Sequence, residues 1–149
     1  SFGVTEYPAP AGGCLLTDIN YSRRLKDLFD HQAQVREAEL ELLKYGRHFR
    51  LDDRTKIVVG RTRGENQKIV DHHDPAVDTL LKLKSYPGPT VLVTRQASRA
   101  DVERAAAICA GYSKAPLDQT VDVIVTTSDQ KETLPVLPLP PDKFSAFLI

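Results

Sequence analysis

Hydrophobic positions recur with two different periods along this chain, and the switch falls near residue 47. Before it, Leu25, Leu28 and Phe29 in Ser22–His31, then Val35, Ala38 and Leu42 in Gln34–Lys44, follow the spacing of one helix face. Ser22 is a candidate N-cap and Gly46 a candidate stop, while Glu37, Glu39 and Glu41 are expected on the exposed side of the second helix. After the switch, "RHFRL" (Arg47 to Leu51) alternates and "TKIVVG" (Thr55 to Gly60) is β-branched, with Asp52 and Asp53 turning the chain between them. This predicts a hairpin.

A short helix over Arg63 to Val70 follows, then the turn "DHHDP", a strand over Val77 to Ser85, the turn "YPGP", and a strand over Thr90 to Thr94. Ser98 with Asp101 resembles a capping box, opening a helix with Val102, Ala105, Cys109 and Tyr112 on one face. Thr120 to Thr127 predicts a further strand. "LPVLPLPP" is too rich in proline for a central one, and Asp142 to Phe147 predicts a short closing helix. The fold class expected is α+β, with N-terminal helices followed by a mixed β-sheet with packed helices. Three parts are expected: an extended segment over 1–20 punctuated by Pro8, Pro10, Gly12 and Gly13; a helical linker or hairpin over 21–46; and an α+β domain over 47–149.

Composition narrows the chemistry without choosing it. Twenty basic residues balance twenty acidic ones, so any argument for an anionic partner rests on where the charges lie. Arg47 to Lys68 contains seven Lys or Arg against three acids. No apolar run is long enough to span a bilayer, and no signal peptide opens the chain, so the expected setting is cytoplasmic and away from membranes. Cys14 and Cys109 read as thiols rather than a disulfide framework. The chain lacks methionine even at position 1 and opens abruptly, which reads as a piece of a longer protein.

"VVGRTRGENQ" (Val58 to Gln67) concentrates the candidate chemistry. A strand ending in Gly60 before a helix at Arg63 offers free backbone N–H groups to an anion, and Arg61 and Arg63 add guanidinium forks suited to phosphate. Spacing alone favours the plainer reading, a polar turn whose arginines face water, because a lone glycine-plus-arginine loop is a weak motif. Base stacking could come only from Phe49 or Tyr86. Cys14, after Gly12-Gly13, could be a reactive thiol or an inert one, whereas Cys109 reads as core. His72, His73 and Asp74 read as a surface turn and no metal site is expected, since adjacent histidines diverge. No catalytic constellation is visible.

"TKIVVGRTRGENQKI", "YPGPTVLV" and "AAAICAGYSKA…VDVIVTT" together resemble the RNA-binding module NFACT-R, in order, over roughly residues 47 to 127. That module has a strand running into Gly-Arg-Asn-x-x-x-Asn, a Pro-Gly block before a strand, and a helix ending near Tyr-Ser-Lys-Ala. Thr62 stands where the motif has its first Asn, and the aromatic and histidine positions of the Pro-Gly block are reduced to Tyr86 and Thr90. The resemblance implies RNA contacts from Arg61, Arg63, Asn66 and Lys68, with Arg47, Arg50 and Lys56 widening the positive face.

"YPAPAGGCLLTDINYSRRLKDL" is similar to the segment after the PP-loop ATPase domain in tRNA thiouridylase-like proteins, relatives of 2-thiouridine and 4-thiouridine synthases. It implies a tRNA partner, a sulfur-transfer role for Cys14, a parent sulfurtransferase and a sulfur-carrier protein reaching it. The PP-loop itself is absent from the 149 residues, so no cofactor is expected here and ATP belongs to the missing domain. The competing reading is a protein-interaction or structural appendage with no nucleic-acid role.

Overall fold

A computed structural model describes residues 19–32, 34–51, 55–94, 98–128 and 130–149. Two helices, α1 (Ile19–His31) and α2 (Glu37–Leu42), precede the hairpin of β1 (Arg47–Arg50) and β2 (Lys56–Val59). Then come α3 (Arg63–His72), β3 (Thr79–Leu83), β4 (Val91–Val93), α4 (Arg99–Gly111), β5 (Val121–Thr127) and β6 (Gln130–Val136). Two 3-10 turns, Pro141–Lys143 and Ser145–Phe147, stand where one closing helix was expected.

The class is α+β, but the sheet is antiparallel at every pairing rather than mixed, in the order β1-β2-β4-β3-β5-β6. The reason lies in the crossovers. α3 carries the chain from β2 to β3 and α4 carries it from β4 to β5, each linking strands that run the same way. In both cases a strand of the β3–β4 hairpin fills the slot between them, so parallel strands never become neighbours.

Side-chain alternation assigns the two faces. Phe49, Ile57, Val59, Leu81, Val91 and Val123 point to one side, where α4 lays Val102, Ala105, Ala106 and Cys109 against them. Phe144, from the C-terminal turns, closes that core edge-on against Phe49 and Tyr112. On the opposite face Val58, Leu92 and Leu80 meet Leu42 of α2 and Ile69 of α3. The chain end seals the outer edge of β1 through a bridge between Phe49 and Leu148 and a bond from the Ile149 amide to the His48 carbonyl at 2.9 Å.

Several local expectations shift by a turn. Ser22 lies inside α1 rather than capping it, whereas Ser98 does cap α4, accepting from the Asp101 amide at 3.2 Å. Glu39 is buried rather than exposed, because its carboxylate takes the Arg36 amide at 2.9 Å and the Gln32 side chain at 2.9 Å. Gly46 does mark the end of the helical region. It sits at φ 74°, and a Cβ there would lie 2.5 Å from the Val59 carbonyl oxygen. β6 takes in Gln130 to Thr133, which carry no apolar alternation, and it runs along an edge that tolerates Pro135.

Candidate nucleic-acid interface

One end of the sheet gathers the three sequence blocks that lie far apart in the chain. β2 runs into Gly60, whose amide donates to the Thr90 carbonyl at 3.0 Å. The Thr90 amide in turn donates to Asn66 Oδ1 at 3.0 Å, tying the "YPGPT" turn to α3. Gly60 must be small there, since a Cβ would fall 1.9 Å from Asn66 Oδ1. On the other side of the same turn, the Lys114 amide donates to the Pro87 carbonyl at 2.9 Å. Gly88 lies against Ser113 so closely that a Cβ would come within 2.7 Å of its Cβ. The "GRTRGEN", "YPGPT" and "YSKA" segments therefore form one continuous rim.

Thr62 makes the rim's helix start. Its Oγ1 accepts from the Glu65 amide at 3.1 Å, and its carbonyl accepts from the Asn66 amide at 2.9 Å. A threonine can do this as an asparagine would, because both place a side-chain oxygen at the N-cap. The departure from the family motif thus keeps the cap. The amides of Arg63 and Gly64 have no partner among the described residues and sit at the positive end of the α3 dipole.

Arg61 is held rather than free. Its Nε and Nη2 donate to the two Glu65 carboxylate oxygens at 3.1 and 2.8 Å, leaving Nη1 and the second proton of Nη2 without a partner among the described residues. Glu65 also takes the Arg61 amide at 2.9 Å. The Arg61 guanidinium, with the Gly46 and Arg61 amides, lowers the Glu65 carboxyl to about 2, so the pair stays charged. Arg63 is exposed and has no ion pair among the described residues. Arg47 places its guanidinium 4.8 Å from the centre of the Tyr112 ring, on the α4 side of the rim.

The structure separates the remaining candidates. Asn66 is a positioning group, its carbonyl oxygen occupied by Thr90. Lys68 is exposed but lies some 140° round the helix from Arg63 at about 100° per residue. There it faces α2, where Lys44 chiefly, and then His72 and Lys68, hold the Glu41 carboxyl below its usual range. Arg50 and Lys56 do not widen an exposed positive face. Arg50 Nε bonds both Asp27 oxygens at 2.8 and 2.9 Å. Lys56 is only 4% exposed, and burial pulls its amine down to about 7.

Phe49 is core and cannot stack on a base, whereas Tyr86 is 36% exposed on the rim. Cys109 is buried, its thiol pushed up to about 12 by that burial. Cys14 and the rest of residues 1–18 lie outside the described residues. His72 ends α3 and stacks on Tyr45 rather than standing in a turn. Among the described residues no three His, Cys, Asp or Glu groups gather to hold a metal, and no helix is long and apolar enough to cross a membrane. Two exposed lysines not singled out from the sequence, Lys84 before "SYPGP" and Lys114 within "YSKA", join the rim. Their place inside or beside two of the three blocks was the available signal.

Comparison with known proteins bears on the fold and on the family. The chain is similar in fold to the C-terminal part of the fibronectin/fibrinogen-binding protein from Streptococcus suis, with a TM-score of 0.59 at 19% identity, covering 89% of this chain and 68% of that one. No curated protein sequence matches the chain. The family model described as NFACT protein RNA binding domain matches residues 46–148, a span that starts at Gly46 and takes in the whole sheet and rim. The chain belongs to the NFACT RNA-binding domain family.

Proposed function

We propose that the rim is the surface through which this domain holds RNA, and that the RNA is tRNA. The observation that carries this is the convergence of three separate blocks, with exposed cations in or beside each, on one edge of a molecule whose net charge is zero. Exposed Arg63 and the remaining donors of Arg61 flank the start of α3, whose first amides have no partner among the described residues, a combination suited to a phosphate group. Arg47, Lys84 and Lys114 extend the positive field along the rim, and Tyr86 offers one exposed ring for a base. Lys68 contributes from the flank.

A tRNA-sulfurating parent is a narrower reading and rests on residues 7 to 28 alone. In it Cys14 carries sulfur delivered by a carrier protein, and an ATP-using domain lies elsewhere in the protein. Thiolated nucleoside should disappear in the full-length Cys14→Ala protein while tRNA affinity is kept, and normal thiolation in that variant rejects the role.

Fluorescence anisotropy with labelled tRNA tests the RNA reading. Binding should weaken steeply with salt, by roughly 0.7 to 0.9 log units per log unit for each phosphate contacted. Arg61→Ala/Arg63→Ala should lose most of the affinity. Unchanged binding by that variant removes the rim from the interface, and no salt-sensitive binding by the wild type favours an appendage that contacts protein.

A further inference from the structure

The sheet is covered unevenly, and the uncovered part adjoins the rim. Among the described residues, one face is buried under α4 and the C-terminal turns from β1 as far as Leu134 of β6, but on the other face α2 and α3 reach only β2, β4 and the edge of β3. Cross-strand register gives the residues on the bare part. Leu80, Thr126 and Lys131 form one row, and Lys82, Ile124 and Thr133 the next. Asp122 and Pro135 form a third, beside Lys84, whose amide continues the ladder to the Asp122 carbonyl at 3.1 Å. Lys82, Lys84 and Lys131 are exposed, and Asp122 is the one acid among these positions.

We infer that this bare half-face is a track for single-stranded RNA, continuing the path of the RNA whose phosphates the rim holds; it rests on that reading of the rim. Three features choose the occupant. The charge is net positive on a molecule whose total is zero, with a lysine in every row. Protein interfaces are depleted in lysine at their centres, and here only Leu80 and Ile124 are partly buried apolar groups, so a protein partner would find little to bury. The strip is narrow: β3 to β6 spans about 10 Å at the usual strand spacing, and α3 stands beside it as a wall about 10 Å high. A single strand fits such a strip lengthwise, and a duplex would ride on the wall. Lys84 belongs to both surfaces, so the path from rim to sheet is unbroken. From the Lys84 row to the Lys131 row is about 13 Å along the strands, room for two or three nucleotides.

The test uses oligouridylates of about 4 and about 12 nucleotides, lengths within the usual site sizes for single strands. Anisotropy is read against salt for the wild type, for Lys82→Gln/Lys131→Gln, and for Arg61→Ala/Arg63→Ala. The glutamine variant should melt like the wild type, since both side chains are exposed. It should bind the long oligomer roughly tenfold more weakly, with the salt slope reduced by about 1.4, while its affinity for the short one stays unchanged. The arginine variant should lose both. If the glutamine variant keeps the wild-type affinity and slope for the long oligomer while the arginine variant loses binding, the track is wrong and the rim stands. If the wild type binds neither oligomer nor tRNA, both are wrong. Binding of an acidic peptide that the glutamine variant abolishes, without any change for RNA, assigns the face to a protein partner and overturns the track.

Discussion

The β1–β2 hairpin carries arginine or lysine at both of its ends and treats them in opposite ways. At the open end Arg47 and Arg61 face outward, one over Tyr112 and the other braced by Glu65. At the turn end Arg50 and Lys56 lie opposite each other across the strands and are both drawn inward, beside buried His48 and under α1. Two like charges opposed on a sheet are unfavourable in themselves, and Asp27 of α1 offsets this by taking the Arg50 guanidinium with both oxygens. The same residue types a few positions apart thus do different jobs. At one end they make a surface; at the other they fasten a helix to the sheet. What decides between the two is which end α1 covers.

The contrast predicts a ranking of effects. The largest belongs to Asp27→Ala, which strands the Arg50 charge in a site where that side chain is only 13% exposed. Chemical denaturation should show a loss of about 3–5 kcal/mol, and a loss below about 1 kcal/mol would mean that the pair is not needed to hold α1. Lys56→Met comes next and acts in the opposite direction. The Lys56 amine titrates near 7 in the fold against 10.5 ordinarily. Between those values the unfolded chain holds a proton that the folded one lacks, so wild-type stability rises with pH across that window. At or below pH 7 the penalty is nearly or fully present. Lys56→Met should therefore gain about 1–3 kcal/mol at pH 7 and progressively less toward pH 10. A gain that does not shrink with pH counts against a buried, discharged amine.

Smaller effects fall at the open end. Asn66→Ala removes the acceptor for the Thr90 amide and should cost about 1–2 kcal/mol, while weakening RNA binding more than that loss of fold alone explains. Smallest is the pair at position 62. Thr62→Ala should cost about 1 kcal/mol as a lost cap, and Thr62→Asn should stay within a few tenths with RNA affinity kept. A large loss in Thr62→Asn would show that the threonine does more than cap α3.

These two ends also mark what could be read from the sequence. The hairpin was legible because "RHFRL" alternates and "TKIVVG" is β-branched, as strands of a covered sheet are, and α4 was legible because Ser98 and Asp101 announce its start. The burial of Arg50 and Lys56 was not legible, since it depends on α1 landing across the turn end from some twenty-five residues away. The first half of β6 was hidden for the opposite reason. At an edge with both sides wet, Gln130 to Thr133 are exposed and carry no period. Interleaved helices and strands suggested parallel neighbours, and only the β3–β4 hairpin, a tertiary fact, excludes them. At the rim, the grouping of Arg61 and Arg63 was visible as a motif. That Glu65 clamps one of them, and that Asn66 faces inward, was not.

The Glu65 carboxylate has a consequence for how this domain fails in acid. It ties the Gly46 amide, the Arg61 amide and the Arg61 guanidinium to one group, and its lowered pKa keeps that knot fully tied above about pH 4.5, loosening only toward about 2. His48, wholly buried with its pKa pushed well below 6.5 chiefly by burial, behaves otherwise. The stability it contributes is present above 6.5 and drains away as pH falls below it, because the unfolded imidazole takes up a proton that the folded one refuses. Between pH 6 and 4.5 the body of the domain is therefore the weak part and its rim the durable one. Acid should not erode the rim's shape by degrees: in that range the binding surface persists intact in every molecule still folded and vanishes only in those that are not.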